Sequence, residues 1–345
     1  MQAAVYYSND DVRLEDVPKP SIGAREVLLE VSMCGICGSD VMEWYRIKKA
    51  PRVLGHEVVG VISEVGEAVE GHGVGDRVFV SHHVPCNTCR HCLRGDHTAC
   101  ETLHSTNIDP GGFAEYARVP EINVGTGLFP LPPGVSDEEG VFIEPLGCVI
   151  RGQRRMGVGP GDTVLVLGSG VSGILHIQLA KAQGASKIIS TDIDEHRMKS
   201  ALRFGADEVF HGGDDVNALA REANGGRGFD RVIVSTAALP AIKQGLQCAE
   251  DGGTVLLFAP TRPGVELPLD LNDLWSRQLT LTTTYAASPG DLAEALELIR
   301  ARKVNVGEMV THRLGLDETG EGFRLVAEAG DSLKVVVEPK RGRPG

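Results

Sequence analysis

Short apolar runs separated by glycines mark the first third of the chain. Runs of this kind are the pattern of β-strands, and here they occupy residues 27–31, 58–65, 77–80 and 116–119. Glycines end or interrupt the runs, as turns between strands require. The pattern predicts an irregular, β-rich region rather than a helical one.

The pattern changes after about residue 157. A continuous apolar run at 163–167 leads into a glycine-rich turn, and residues 174–182 then carry apolar positions at helical spacing. Further strands are predicted at 187–191, 229–236, 253–259, 278–285 and 332–338, and further helices at 195–204 and 291–302. Strands that alternate with helices predict an α/β domain whose parallel sheet is covered on both faces.

The length and charge of the chain limit its function. The 345 residues suggest about two domains. Lys and Arg number 34 and Asp and Glu number 47, so the net charge of −13 disfavours nucleic acid and anionic membranes as partners. No signal-peptide pattern is visible, and no apolar run approaches the about 20 residues of a membrane helix. We therefore expect a cytoplasmic protein with reduced thiols and no membrane partner.

The glycine-rich turn carries a dinucleotide-binding pattern, G-x-G-x-x-G, and an acidic residue closes the next strand 24 positions after the first glycine. In this context the glycines permit a tight turn, the approach of a pyrophosphate to a helix N-terminus, and close packing of helix on strand. The acid would bind the adenosine ribose and repel a 2′-phosphate, which favours NAD over NADP, although a nearby arginine weakens that preference. The predicted cofactor-binding residues are Gly168, Ser169, Gly170, Val171, Ser172, Gly173, Asp192 and Arg197. An ordinary strand–turn–helix with packing glycines is the alternative.

Four of the eight cysteines fall within fifteen residues, at Cys86, Cys89, Cys92 and Cys100. This spacing lets one loop surround a tetrahedral ion, and four thiolates leave no open position, so the predicted site is a structural zinc. The alternatives are free or disulfide-bonded thiols and a zinc ribbon that binds nucleic acid. The acidic charge balance argues against the ribbon.

A second set of metal-ligand residues lies in or beside the β-rich region. Cys37, His56 and Glu144 supply the thiolate, imidazole and carboxylate that leave a catalytic zinc one open position. Each also has a simpler explanation, as a buried thiol, a hydrogen-bonded histidine and an acid at a helix N-terminus. Cys34 is a competing ligand on composition alone.

Taken together, these motifs resemble the zinc-containing medium-chain alcohol dehydrogenases. The resemblance rests on Gly55-His56-Glu57 with Gly60, Gly66 and Val69 at the family's spacing, followed by Gly75-Asp76-Arg77-Val78. The other motifs appear in the family's order, namely Cys37-Gly38-Ser39-Asp40, the four cysteines, Gly111-Gly112-Phe113-Ala114-Glu115-Tyr116, Glu144-Pro145-Leu146 and the dinucleotide turn. The similarity runs from about residue 3 to 338 and is greatest to the sorbitol/polyol and threonine dehydrogenase branch, in which a glutamate replaces one ligand cysteine.

The resemblance implies a fold and a set of roles. It implies a doubly wound Rossmann cofactor domain at 148–289 and a discontinuous GroES-like catalytic domain at 1–147 and 290–345, with the active site between them. Cys37, His56 and Glu144 would hold a catalytic zinc, with Glu57 as an alternate or direct ligand. Asp40 would accept the N–H of His56, and Ser39 would take the proton of the substrate hydroxyl. NAD, two zinc ions per chain and a homo-oligomer, either dimer or tetramer, are also implied.

We therefore predict a zinc- and NAD-dependent oxidoreductase that interconverts a secondary alcohol or polyol and a ketone. The alternatives are threonine-dehydrogenase-like oxidation of an amino alcohol, NADPH-dependent reduction of aldehydes or ketones, and a non-catalytic dinucleotide-binding relative, which the intact ligand set disfavours. Met42 stands where relatives often carry a relay histidine, and residues 282–289 lack the arginine by which sorbitol dehydrogenases contact polyol hydroxyls. Candidates for lining the substrate pocket are Trp44, Tyr45, His82, His83, Phe113 and Tyr285.

Overall fold

Two units divide the chain in the computed structural model, which describes residues 1–342. The first unit comprises Met1–Gly147, Ala286–Ala301 and the described chain from Val306 onward. The second comprises Cys148–Tyr285 and Arg302–Asn305. The first unit is therefore discontinuous in sequence, and the second forms most of the middle of the chain.

Strands dominate the first part of the first unit. They are β1 Gln2–Ser8, β2 Asp11–Asp16, β3 Val27–Gly35, β4 Arg52–Val53, β5 Glu57–Val65, β6 Arg77–Ser81, β7 Tyr116–Val119 and β8 Leu128–Pro130. The helices between and after them are α1 Glu43–Arg46, α2 Arg90–Leu93, α3 Glu101–Ser105, α4 Glu121–Gly127, α5 Asp137–Gly140 and α6 Ile143–Met156. The four strands predicted in this region are confirmed as β3, β5, β6 and β7.

The second unit alternates strands and helices. Its strands are β9 Thr163–Leu167, β10 Lys187–Asp192, β11 Glu208–His211, β12 Phe229–Val234, β13 Ala249–Leu257 and β14 Thr280–Thr283. Its helices are α7 Val171–Ala182, α8 Glu195–Arg203, α9 Val216–Ala223, α10 Leu239–Cys248 and α11 Leu271–Ser276. The chain then returns to the first unit with α12 Pro289–Arg300, β15 Val310–Gly315, α13 Thr319–Glu328 and β16 Lys334–Glu338.

Sheet topology distinguishes the two units. The second unit holds one six-stranded parallel sheet in the order β11-β10-β9-β12-β13-β14. Its first strand lies near the centre, which is the order of doubly wound dinucleotide-binding domains and confirms the predicted α/β fold. All five residues of β9 are buried, as expected for a central parallel strand.

The first unit is built on two mostly antiparallel sheets. One has three strands in the order β2-β1-β4, and the other runs β15-β16-β3-β5-β6-β8 with β7 also paired to β3. The core of this unit lies between these sheets and α13, where Tyr6, Phe113 and Phe323 stack their rings. Within residues 1–342, no helix has both the length and the apolar character that crossing a membrane requires.

Candidate active site

The four cysteines predicted as a metal site come together in the first unit. Their sulfur atoms lie within 4.8 Å of one another. The Sγ atoms of Cys89 and Cys92 are 3.6 Å apart, as are those of Cys86 and Cys100. A tetrahedron of thiolates at about 2.3 Å from zinc has edges of about 3.8 Å, whereas a disulfide bond measures about 2.05 Å. The donor set therefore fits a tetrahedral ion and does not form disulfides.

Backbone hydrogen bonds stabilise anionic sulfur in residues 86–100, the cysteine lobe. The backbone N–H of Cys89 donates to Sγ of Cys86 at 3.3 Å, and the N–H of Cys86 donates to Sγ of Cys100 at 3.5 Å. Hydrogen bonds from Thr88, first of all from its backbone N–H, lower the pKa of Cys86 to about 5. Peptide N–H donors of this kind stabilise thiolates, the form that binds metal.

A second cluster joins the ends of β3 and β5. Cys37 follows β3, His56 precedes β5 and Glu57 is the first residue of β5, and one ligand atom from each lies within 4.8 Å of the others. His56 and Glu57 are buried. Thiolate, imidazole and carboxylate form a donor set suited to a catalytic zinc with an open position.

Asp40 orients the histidine of this cluster. Its carboxylate is fully buried, and Oδ1 lies 3.3 Å from Nδ1 of His56 while Oδ2 accepts the N–H of Cys37 at 3.1 Å. The contact occupies Nδ1 and leaves Nε2 available to a ligand. Burial acts against the charged imidazole, but Asp40 and then Cys37 hold the pKa of His56 well above its usual value.

Glu57 is held by a residue that the sequence pattern did not reveal. Lys334 of β16 forms an ion pair with it, and both side chains are buried. Oε1 of Glu57 is buried without a hydrogen-bond partner. A buried carboxylate oxygen with no donor is the kind of atom that a metal ion satisfies.

Glu144, the predicted third ligand, lies in the first turn of α6 and is buried. Among the described residues, the group of mutually close ligand atoms contains Glu57 in place of Glu144. The charge of Glu144 nevertheless contributes to raising the pKa of Lys334. The structure therefore brings Cys37, His56 and Glu57 together. Glu144 lies near Lys334, the ion-pair partner of Glu57.

Arg46 contacts the serine predicted to carry a proton. Its Nη2 donates to Oγ of Ser39 at 3.0 Å, and its Nε donates to the carbonyl oxygen of Ser39 at 2.9 Å. Nη2 also lies 3.3 Å from Oδ1 of Asp40. The motifs did not predict this contact, because it depends on α1 folding Arg46 back toward a residue seven positions earlier.

Two histidines stand beside the cluster. The ring of His82 lies 4.8 Å from that of His56 and 3.9 Å from that of His83. Burial, followed by the neighbouring histidines, lowers the pKa of His82 well below its usual value and that of His83 to about 4. Asn123 secures this segment, because its Nδ2 donates to the carbonyl oxygens of Ser81 at 2.9 Å and His82 at 3.1 Å.

The glycine turn in the second unit has the shape that its pattern predicts. Gly168 has φ +98, and a Cβ on Gly173 would lie 1.9 Å from the carbonyl oxygen of Gly168, so both positions need glycine. Val171, Ser172 and Gly173 form the first turn of α7, which begins three residues earlier than the apolar spacing predicts. The turn therefore ends at a helix N-terminus, where amide donors face an anion.

Asp192 and Arg197 both reach this turn. Oδ2 of Asp192 accepts the N–H of Ser169 at 2.7 Å. Nη1 of Arg197 lies 3.7 Å from the position that a Cβ on Gly170 would occupy. The predicted acid and the predicted arginine are thus both next to the site where a dinucleotide would approach.

Known proteins match both units. The alcohol dehydrogenase GroES-like domain matches residues 23–132, and the zinc-binding dehydrogenase domain matches residues 172–301. Probable D-xylulose reductase A of Neosartorya fischeri is 34% identical over 340 residues, which cover 94% of this chain and 93% of that protein. L-threonine 3-dehydrogenase of Rhizobium johnstonii is 31% identical over 333 residues, with 94% of each chain covered.

Solved structures show the same similarity. A zinc-binding dehydrogenase of Sinorhizobium meliloti 1021, crystallised with NADP, superposes with a TM-score of 0.88 at 29% identity. The match covers 98% of this chain and 99% of that one. The relationship therefore extends over both units.

Proposed function

Because this chain belongs to the zinc-containing medium-chain alcohol dehydrogenase family, we propose that it interconverts a secondary alcohol or polyol and the matching ketone, with NAD as the hydride acceptor. The observation that carries the proposal is the cluster of Cys37, His56 and Glu57, whose ligand atoms lie within 4.8 Å of one another. Similarity to a D-xylulose reductase favours a polyol, and similarity to a threonine dehydrogenase keeps amino alcohols among the substrates to test.

Two zinc sites are part of the proposal. Cys37, His56 and Glu57 would hold the catalytic ion, with Glu144 as an exchanging ligand, and Cys86, Cys89, Cys92 and Cys100 would hold a structural ion. When bound, the catalytic ion supplies Lewis-acid stabilisation of negative charge on the substrate oxygen. Asp40 fixes the orientation of His56, and Lys334 balances the charge of Glu57.

Ser39 handles the proton of the substrate hydroxyl in this proposal. Its Oγ accepts a hydrogen bond from Arg46, so its own hydrogen is free to pass outward as it takes the substrate proton. Arg46 stays protonated and cannot accept that proton, and the thioether of Met42 is at best a weak acceptor. The proton therefore leaves through water or through the neighbouring Glu43.

The cofactor would bind at the glycine turn from Gly168 to Gly173. Asp192 lies beside the turn and would repel a 2′-phosphate, which supports NAD. The NADP-bound structural relative and the nearby Arg197 make the ratio of NAD to NADP turnover an informative measurement.

We also propose a cytoplasmic homo-oligomer, either a dimer or a tetramer. None of the eight cysteines forms a disulfide bond, as in a reducing compartment. In α11, the helix that precedes the edge strand β14 in sequence, Leu271 and Trp275 are 73% and 78% exposed, and exposed apolar side chains are typical of subunit contacts. Light scattering on the purified protein tests this part.

The decisive experiment combines a metal count with a substrate screen. Mass spectrometry of the purified protein should find two zinc ions per chain. NADH formation should then be measured across polyols, inositols, sugars, amino alcohols and simple secondary alcohols. Loss of turnover and of one zinc in His56→Asn, with both retained in His91→Asn on the exposed face of the cysteine lobe, supports the proposal. A chain with two zinc ions that oxidises none of these alcohols contradicts it.

A further inference from the structure

A basic segment, residues 46–52, borders the candidate active site. Its sequence Arg-Ile-Lys-Lys-Ala-Pro-Arg carries four cations and no acid, in a chain whose net charge is −13. The segment leads from α1 into β4 and ends four residues before His56. Lys48 and Lys49 are exposed, whereas Arg46 and Arg52 are partly buried. A local concentration of positive charge in an acidic protein attracts anions to this place.

The two arginines differ in their partners. Arg46 is engaged with Ser39 and Asp40. The guanidinium of Arg52 makes no hydrogen bond or ion pair within residues 1–342. Burial, and then the charge of Arg46, lower the pKa of Arg52. A partly buried cation with no hydrogen-bond or ion-pair partner costs free energy that a bound anion would offset.

The position of Arg52 points to the substrate. Arg46, at one end of the segment, donates to Oγ of Ser39 at 3.0 Å, and Arg52, at the other end, lies four residues before His56 of the ligand cluster. The segment that carries both arginines therefore borders the proton-carrying serine and the ligand cluster.

We propose that the substrate carries an anionic group besides the hydroxyl that is oxidised, either a carboxylate or a phosphate monoester, and that Arg52 binds it. The inference rests on the proposed function, since it names the substrate class of the same site. A guanidinium presents paired N–H donors that match both anions. Hydroxy acids of the aldonic type and polyol phosphates are the two sources of this chemistry, and neutral polyols should be weaker substrates.

The test uses the zinc-loaded enzyme and substrates that share a carbon skeleton. Values of kcat/KM are compared for xylitol, xylonate and xylitol 5-phosphate, and for glucitol, gluconate and glucitol 6-phosphate. We expect at least one anion to exceed its neutral counterpart by about tenfold or more, mainly through KM, because a charge-assisted hydrogen bond contributes about that factor. Inorganic phosphate should compete with the neutral polyol. The anion that gives the higher kcat/KM, carboxylate or phosphate, identifies the preferred source.

Variants assign the effect to one side chain. Arg52→Gln should abolish both the anion preference and the inhibition by phosphate while retaining turnover of the neutral polyol, and Arg52→Lys should restore part of both. Lys49→Gln removes an exposed cation from the same segment and should change each ratio by less than about twofold, because exposed charges are screened. Zinc content and melting temperature identify a variant that fails to fold. In that case the inference is tested by the wild-type enzyme alone, through its ratios of kcat/KM for anionic and neutral substrates and its inhibition by phosphate.

Three outcomes overturn the inference. If neutral polyols are the better substrates and phosphate does not compete, the anion site is absent although the proposed function stands. If Arg52→Gln raises KM for NAD and leaves the substrate ratios unchanged, the arginine serves the cofactor. If no alcohol of any charge is oxidised, the proposed function itself fails.

Discussion

Lys334 and Glu57 form an ion pair whose side chains are only 2% and 1% exposed. Both residues flank Gly35. Glu57 of β5 pairs with Gly35, and so does Val336 of β16, which stands two positions after Lys334. A Cβ on Gly35 would lie 1.9 Å from Oε2 of Glu57 and 2.7 Å from Cε of Lys334. Three strands thus meet at a glycine so that a buried cation can hold a carboxylate of the candidate metal site.

Replacing that lysine should destabilise the first unit. In the metal-free protein, Lys334→Met leaves the charge of Glu57 buried without a partner, which costs about 3–5 kcal/mol of unfolding free energy. The double variant Lys334→Met, Glu57→Gln should recover much of the loss, because neither charge remains. Urea denaturation measures the free energy of unfolding of the single and the double variant. Lys340→Met, which breaks the exposed pair with Glu30, is the control and should cost about 1 kcal/mol or less. Equal losses in the two lysine variants would contradict the role of burial.

The cysteine lobe should hold its own metal ion. Cys92→Ser removes one of four sulfur ligands, so the bound zinc should fall from two ions per chain to one and the melting temperature should drop. Cys248→Ser alters a buried thiol of the second unit and should leave the metal count at two. Elemental analysis and calorimetry provide the two measurements. Retention of both ions in Cys92→Ser would show that the lobe is not a metal site.

The preference for the cofactor should depend on Asp192. Asp192→Gly removes the carboxylate that would repel a 2′-phosphate, so the ratio of kcat/KM for NAD to that for NADP should fall by about tenfold or more. Glu195→Gln, a nearby exposed acid paired with Lys199, is the matched control. An unchanged ratio in the Asp192 variant would refute the assigned role.

Local patterns in the sequence predicted much of the fold and part of the site. The buried run of β9, the glycine turn and the four cysteines each lie within one short segment, so spacing alone reveals them. By contrast, β1 and β2 were missed. In β2 only Val12 and Leu14 are apolar, and Leu14 is 38% exposed. The short apolar stretch of β1 is buried at four consecutive positions and does not alternate.

Contacts between distant segments could not be predicted in this way. Lys334 meets Glu57 only because β16 and β5 both pair with β3, a register that no local spacing encodes. The same reason explains why Glu57, which the resemblance implies as an alternate or direct ligand, joins Cys37 and His56 in the cluster. Ligand geometry depends on strand pairing, whereas the sequence reveals only which residue types are present.

Acid should destabilise the second unit through His176. This histidine of α7 is fully buried, its Nε2 has no hydrogen-bond partner, and burial lowers its pKa to about 3. The unfolded chain binds the proton near pH 6.5, so stability is unaffected above that pH and falls by about 1.4 kcal/mol per unit as the pH drops toward 3. His176→Met should flatten this slope between pH 6 and about 4 in urea denaturation, whereas His196→Gln, at an exposed position of α8 in the same unit, should leave it unchanged. A slope that persists in His176→Met would assign the acid sensitivity to other groups.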